Sequence, residues 1–173
     1  MKDTIKKYLE KKSIFKTKTF DCSEIAVCIP ICNEYPNFMS VLKTLAISCA
    51  VANQQVQVVC CINNKKNCNN EILENNSLLK ISVLDFTKEN SFTEKQGVGW
   101  ARKIAMDYAL ANGAKVLACL DADAFVDENY VAQLKRFKDE KKECATMDFY
   151  HKRIDDENQN SMQLNSAIQD CKQ

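Results

Sequence analysis

Apolar residues in this chain fall in short unbroken runs, and stretches with helical spacing lie between them. Ile25–Ile29 is apolar without alternation and predicts a buried strand stopped by Pro30. Phe38, Val41, Leu42, Leu45 and Cys49 recur at three- and four-residue steps, which predicts a helix over Asn37–Ala50. A second buried strand follows at Val56–Ile62 and ends at Asn63-Asn64. Asn69–Asn76 reads as a weak helix and Leu79–Phe86 as a third strand. Gly97–Asn112 is strongly helical, with Ala101, Ile104, Ala105, Tyr108 and Ala109 inward and Gly113 as its stop. Val116–Leu120 is a fourth strand, Glu128–Lys138 a helix and Cys144–Tyr150 a last strand. Strands alternating with helices imply right-handed crossovers, a mainly parallel sheet and a three-layer α/β/α sandwich of Rossmann-like type. The fourth strand is expected to lie centrally, since its residues show no polar alternation.

The ends of these strands are polar. Ligands of parallel sheets lie beyond the carboxyl ends of the strands, and Asn33-Glu34, Asn63-Asn64, Asp85 and Asp121-Ala122-Asp123 all fall there. Asp121 and Asp123 are separated by one residue, so an extended chain would put both carboxylates on one side. Two such charges need a cation, and Mg²⁺ or Mn²⁺ takes carboxylate and phosphate oxygens together. The plainer alternative is an acidic turn in which Asp123 or Asp127 caps the next helix. Arg102, one turn into its helix behind Gly97 and Gly99, suits bidentate contact with a phosphate. Its plainer alternative is a structural ion pair to Asp121 or Asp85.

Composition narrows the classes. The chain has 173 residues, enough for one domain with a real core, and a formal net charge of +1, which gives no overall pull toward nucleic acid. No apolar run is long enough to span a membrane, and the N-terminus lacks a secretory apolar segment. Ten cysteines are present, none in a C-x-x-C pair and most inside apolar runs, so they read as small buried hydrophobes kept reduced in a cytoplasmic protein. Residues 1–20 carry seven lysines against Asp3 and Glu10, with Ile5, Tyr8 and Leu9 at helical spacing. That predicts a basic leader helix, either packed on the domain edge or in peripheral contact with the inner face of an anionic membrane. From residue 151 the chain turns polar, and Leu164, Ile168 and Cys171 then follow helix spacing.

Four segments in order, IAVCIPICNE (25–34), VQVVCCINN (56–64), KQGVGWARK (95–103) and LDAD (120–123), resemble the nucleotide-binding half of family 2 glycosyltransferases with the GT-A fold. The resemblance covers about residues 24–150. It implies a metal-dependent transferase that binds a nucleoside-diphosphate sugar and passes the sugar to a glycan, lipid or protein acceptor, for example in cell-surface glycan synthesis. It implies nucleotide-sugar contacts by Pro30, Asn33, Glu34, Asn63, Asn64, Gly97, Arg102 and Asp121, with Asp121 and Asp123 on the metal, Mn²⁺ or Mg²⁺. Members usually carry an aspartate where Asn63-Asn64 stands, so the base contact here is made by an amide. In the family's usual layout the general base and the acceptor-side helices lie past residue 173, so the catalytic base is expected beyond the chain end. The expected organisation is a basic leader helix at 1–23, the nucleotide-sugar-binding domain at 24–150, and a polar segment at 151–173 that begins a truncated acceptor-side region.

Two other classes compete. A non-catalytic nucleotide-sugar-binding remnant would bind donor without forming product. A haloacid-dehalogenase-type phosphatase would use a strand-end Asp-x-Asp as nucleophile and acid, but its pair comes early in the chain with a large domain after it.

Overall fold

The computed structural model describes residues 2–16, 23–32, 35–63, 78–87 and 96–148, together with the backbone at 153–154 and 164–165. The predicted helix at Asn69–Asn76, and the site candidates Asn33, Glu34 and Asn64, lie outside the described residues. Two compact units divide at residues 140 and 141.

In the first unit, α1 (Lys2–Lys12) precedes β1 (Ile25–Ile31), α2 (Tyr35–Ala52), β2 (Val56–Ile62), β3 (Leu79–Asp85), α3 (Val98–Ala111), β4 (Val116–Cys119) and α4 (Tyr130–Asp139). The four strands form one sheet in the order β3-β2-β1-β4, and every pairing is parallel. The chain winds outward from β1 through β2 to β3, then returns to add β4 on the other side, so the order reverses between β1 and β4.

Side chains of β1 alternate between two cores. Ile25, Val27, Ile29 and Ile31 pack with Phe38, Val41 and Leu45 of α2 and with Val131 and Leu134 of α4. Ala26 and Cys28 pack on the other face with Ala101, Ile104, Ala105 and Ala109 of α3. Because both faces are covered, all seven residues of β1 and all seven of β2 are buried, and neither strand shows polar alternation in its sequence. The three-layer α/β/α arrangement is therefore as expected.

Two details correct the sequence expectation. First, β4 is the outermost strand on its side among the described residues. Its apolar run reports helices over its faces rather than strands along both edges. Second, β1 does not stop at Pro30 but runs through it, with Pro30 opposite Cys61 and Ile31 opposite Ile62. The reason lies in the direction of the hydrogen bonds. In a strand, alternate residues point their N–H and C=O to opposite neighbours. The Leu120 N–H donates to the Cys28 carbonyl (3.1 Å), and the Asn63 N–H donates to the Ile31 carbonyl (3.0 Å). Cys28 and Pro30 thus face β4, whereas Ile31 faces β2. The β1–β4 ladder ends at Cys28 opposite Cys119, just where the next rung would need the N–H that proline lacks. Pro30 ends pairing on one side only.

Helix α3 ends at Asn112, and Gly113 follows in the left-handed region with φ +96°, a conformation that favours glycine. Helix α1 lies on α3: Leu9 is fully buried, and the Tyr8 hydroxyl donates to Asp107 Oδ1 (3.0 Å). Cys28, Cys49, Cys60 and Cys61 are buried in the cores, and burial pushes the Cys49 thiol up to about 11 and Cys61 to about 12. No helix among the described residues is long and apolar enough to cross a membrane.

The second unit, residues 141–173, contains a short antiparallel pair, β5 (Arg153–Ile154) with β6 (Leu164–Asn165). The last strand expected at Cys144–Tyr150 does not form over its described part, 144–148. Glu143 and Asp148 bracket the four residues Cys144–Met147, a weak apolar stretch with too little apolar surface to be held as a strand. Leu164 is in a strand pairing rather than the helix its spacing suggested.

Candidate functional site

The carboxyl ends of the strands step across the sheet as a staircase of backbone bonds. Asn63 is tied to Ile31, Phe86 N–H donates to the Ile62 carbonyl (2.9 Å), and Leu120 is tied to Cys28. Asn63 is one of the tied residues, Asp85 precedes the tied Phe86, and Asp121 follows the tied Leu120.

Asp85 is committed to its own turn. Its Oδ1 accepts from the Thr87 N–H (2.9 Å) and the Thr87 hydroxyl (2.6 Å). Asn63, by contrast, has a side-chain Oδ1 that is buried and lacks a hydrogen-bond partner among the described residues. A buried amide oxygen left unmatched costs free energy unless something donates to it, so its state points to a missing partner.

Asp121 and Asp123 are not in an extended segment, which corrects the strand geometry assumed from the sequence. The Ala124 N–H donates to the Asp121 carbonyl (3.1 Å), closing a turn over residues 121–124. Within that turn Ala122 is buried, and Asp121 and Asp123 are both exposed on either side of it. Both residues are exposed just past β4.

Neither aspartate is the N-cap of α4; that residue is Asn129, and no side chain caps it. Asp127 Oδ1 instead accepts from the Asn129 backbone N–H (2.8 Å) and Nδ2 (3.1 Å), forming the turn that leads into α4. Asp123 makes no such bond among the described residues. The loop is also pinned from α2. Thr44 Oγ1 accepts from the Val126 N–H (3.3 Å), and the buried Ser48 hydroxyl accepts from the Val131 N–H (2.9 Å) in the first turn of α4. Sequence reasoning missed both hydroxyls. The available signal was two hydroxyl residues four apart on the inward side of an otherwise apolar helix.

Helix α3 brings its start to the end of β4. Its N-cap is Gly97, no side chain caps it, and no acidic residue lies in its first turn. No side-chain cap and no first-turn acid therefore offsets the positive end of its dipole. Gly97 has an ordinary extended φ of −91°, so the turn does not require glycine there. A Cβ at Gly97 or Gly99 would meet nothing among the described residues; what the glycines leave is room beside the helix end. Arg102 Nη2 pairs with Asp121 Oδ1, so the ion-pair alternative for this arginine is realised. Among the described residues Arg102 Nε is buried without a partner, and the Asp121 side chain is 54% exposed. Among the described residues no three Asp, Glu, His or Cys side chains gather as a metal cage.

Pro30, Asn63, Gly97, Arg102, Asp121 and Asp123 therefore all stand at one end of the sheet, beside the point where strand order reverses. A four-stranded parallel sheet between helical layers is the architecture of the Rossmann-like GT-A fold. Residues 26–170 match Glycosyl transferase family 2, and the chain belongs to that family. Among solved structures, the fold is similar to that of S. aureus TarS, residues 1–349, with a TM-score of 0.52 and 18% identity; the match covers 68% of this chain and 32% of that one. At that identity the likeness is one of fold. Comparison with curated proteins finds no match.

Proposed function

We propose that this chain binds a nucleoside-diphosphate sugar at the carboxyl end of its sheet and serves transfer of the sugar to a glycan, lipid or protein acceptor, in cell-surface glycan synthesis. One observation carries the reading. Two exposed carboxylates flank a buried alanine at the end of β4, next to an arginine with a buried, unmatched Nε.

The residues fit a cation that arrives with its ligand. Mg²⁺ and Mn²⁺ bound to diphosphates keep waters and phosphate oxygens and need only one or two protein carboxylates. Asp121 and Asp123 would hold it. When bound, such a cation acts as a Lewis acid for the departing nucleoside diphosphate. Arg102 and the start of α3 would meet phosphate oxygens, and the space beside Gly97 and Gly99 admits them. Asn63 would offer its buried amide to a donor on the base edge. By family resemblance, Pro30, Asn33, Glu34 and Asn64 belong to the same donor site. We assign donor binding to residues 24–150, the leader helix to 1–23 and an acceptor-side beginning to 151–173, and we place the protein in the cytoplasm.

Titration calorimetry with uridine diphosphate tests this reading. Binding is expected to be at least tenfold tighter with Mn²⁺ than with EDTA, because the shared cation turns two repulsions into attractions, an effect of about 1.4 kcal/mol or more. Equal affinity in the two conditions would overturn it.

A further inference from the structure

We propose that the α1–α3 face is a docking surface for an anionic lipid membrane. The inference is independent of the donor site and goes beyond it.

The charge of the molecule is uneven. Between Lys2 and Lys16 stand six lysines against Asp3 and Glu10, although the whole chain carries only +1, so the remainder is net negative. Lys6, Lys7, Lys11, Lys12 and Lys16 are all exposed. Lys7 and Lys11 lie four apart on one helix, a like-charge spacing that weakens an isolated helix. By the 3.6-residue period, Tyr8 stands between Lys11 and Lys12, with Lys7 next to Lys11. Asp3 and Glu10 border this row on the far side of Lys7, four residues before it and three after it.

The structure changes which part of α1 is available. Leu9, the centre of its apolar face, is already spent on α3. The exposed apolar groups stand instead on the basic flank. Lys103 Nζ lies 5.8 Å from the centroid of the Tyr8 ring and 5.5 Å from that of Trp100, so both rings lie near one ammonium. Trp100 is the chain's one tryptophan, yet it is 38% exposed at the surface rather than in a core. Ile14, just past α1, is 63% exposed. The Lys103 ammonium donates to the Lys12 carbonyl (2.8 Å) and to Asp107 Oδ2 (2.5 Å), which fastens the end of α1 against the first turns of α3. Burial pulls the Lys103 ammonium down, but the Asp107 carboxylate outweighs it, and the net shift is upward.

Exposed Trp and Tyr beside a row of lysines match the membrane interface, where amphipathic rings sit among headgroups and lysines meet anionic lipid. A nucleic acid would be drawn by the same lysines but gives Ile14 no apolar medium to enter. Trp100 also stands two residues from Arg102, so a membrane on this face would lie near the proposed donor end.

Trp100 reports directly on the contact. Its fluorescence is recorded while the full chain is titrated with phosphatidylglycerol-containing vesicles, with phosphatidylcholine vesicles and with duplex DNA. The expected result is a blue shift and co-sedimentation with the anionic vesicles only, weakened by salt. Lys7→Gln with Lys11→Gln should lower the partition coefficient about fivefold per lysine removed, with an unchanged far-ultraviolet spectrum. Tyr8→Ser, which retains Trp100, should lower it further. Three results would overturn the inference: no shift with anionic vesicles, an equal shift with neutral ones, or tighter binding to DNA than to vesicles. An unchanged partition in the double lysine variant would do the same. None of these outcomes depends on uridine diphosphate binding.

Discussion

The two ends of the parallel sheet carry the same chemistry and use it differently. At the amino end, Glu24 precedes β1 and is held by Lys115 before β4 and by Lys138 of α4, the latter at 2.8 Å. Ser23 closes the neighbouring edge by donating to the Gln55 carbonyl (2.6 Å). These bonds tie elements distant in sequence, and the hydrogen bonds from Lys115 and Lys138 hold the Glu24 carboxyl at about 2. At the carboxyl end, Arg102 and Asp121 also join distant elements, yet Arg102 Nε and Asn63 Oδ1 are buried without partners among the described residues. One end is matched within itself and the other is not. The difference teaches that an ion pair alone does not mark a site; unmatched buried atoms around it do.

The largest expected contrast comes from Asp123→Asn. It should weaken uridine diphosphate binding in Mn²⁺ by about 2–3 kcal/mol, roughly 30- to 150-fold, and leave the melting temperature unchanged. Asp127→Asn should do the reverse, sparing affinity while loosening the entry to α4. Calorimetry and thermal melting of both proteins check the pair, and a loss of affinity in Asp127→Asn alone would move the site. Next in size is Ser48→Ala. It strands the buried Val131 N–H and should cost about 1–3 kcal/mol in chemical denaturation. Arg102→Gln should lower stability by less than about 1 kcal/mol, since both side chains of its pair are over a third exposed, while clearly weakening diphosphate binding. Equal stability losses in Arg102→Gln and Glu24→Gln, with no change in affinity, would erase the distinction between the two ends.

The smallest effect belongs to Glu24, and its pH dependence lies in acid. Its folded carboxyl titrates at about 2, below the ordinary 4.5. The unfolded chain therefore binds the extra proton first, so the stability Glu24 contributes is fully present above about pH 4.5 and is lost as pH falls toward 2. Screening at this half-exposed site keeps the effect modest. Glu24→Gln should flatten the acid limb of a stability–pH curve and leave uridine diphosphate binding unaltered.

Much of this was legible in the chain. Unalternating runs such as Val56–Ile62 announced strands covered on both faces, and polar residues at the carboxyl ends of the strands could be read directly. Three things were not legible. The place of β4 in the sheet could not be read from Val116–Leu120, because apolar residues report covered faces and say nothing of strand order. The turn at Asp121–Ala124 could not be told from an extended end, since exposure alternates in both. The pins from Thr44 and Ser48 join residues over 80 positions apart, beyond any local pattern. The surface place of Trp100 was not singled out either: small alanines fill the inner side of α3 and leave the indole outside.

The proline inside β1 bears on how faithfully the chain assembles. A parallel strand can slide by two residues and still show the same side chains to each face, so hydrophobic patterning does not forbid that error. If β4 slid so that Cys119 came opposite Pro30 instead of Cys28, the Ala118 carbonyl would meet a ring with no hydrogen to give. An acceptor stranded in the sheet costs about 1–3 kcal/mol, enough to disfavour the slipped form about five- to 150-fold. Pro30 thus acts as a ruler during folding. Where β4 stops against it decides how far the two aspartates stand from the ends of the other strands.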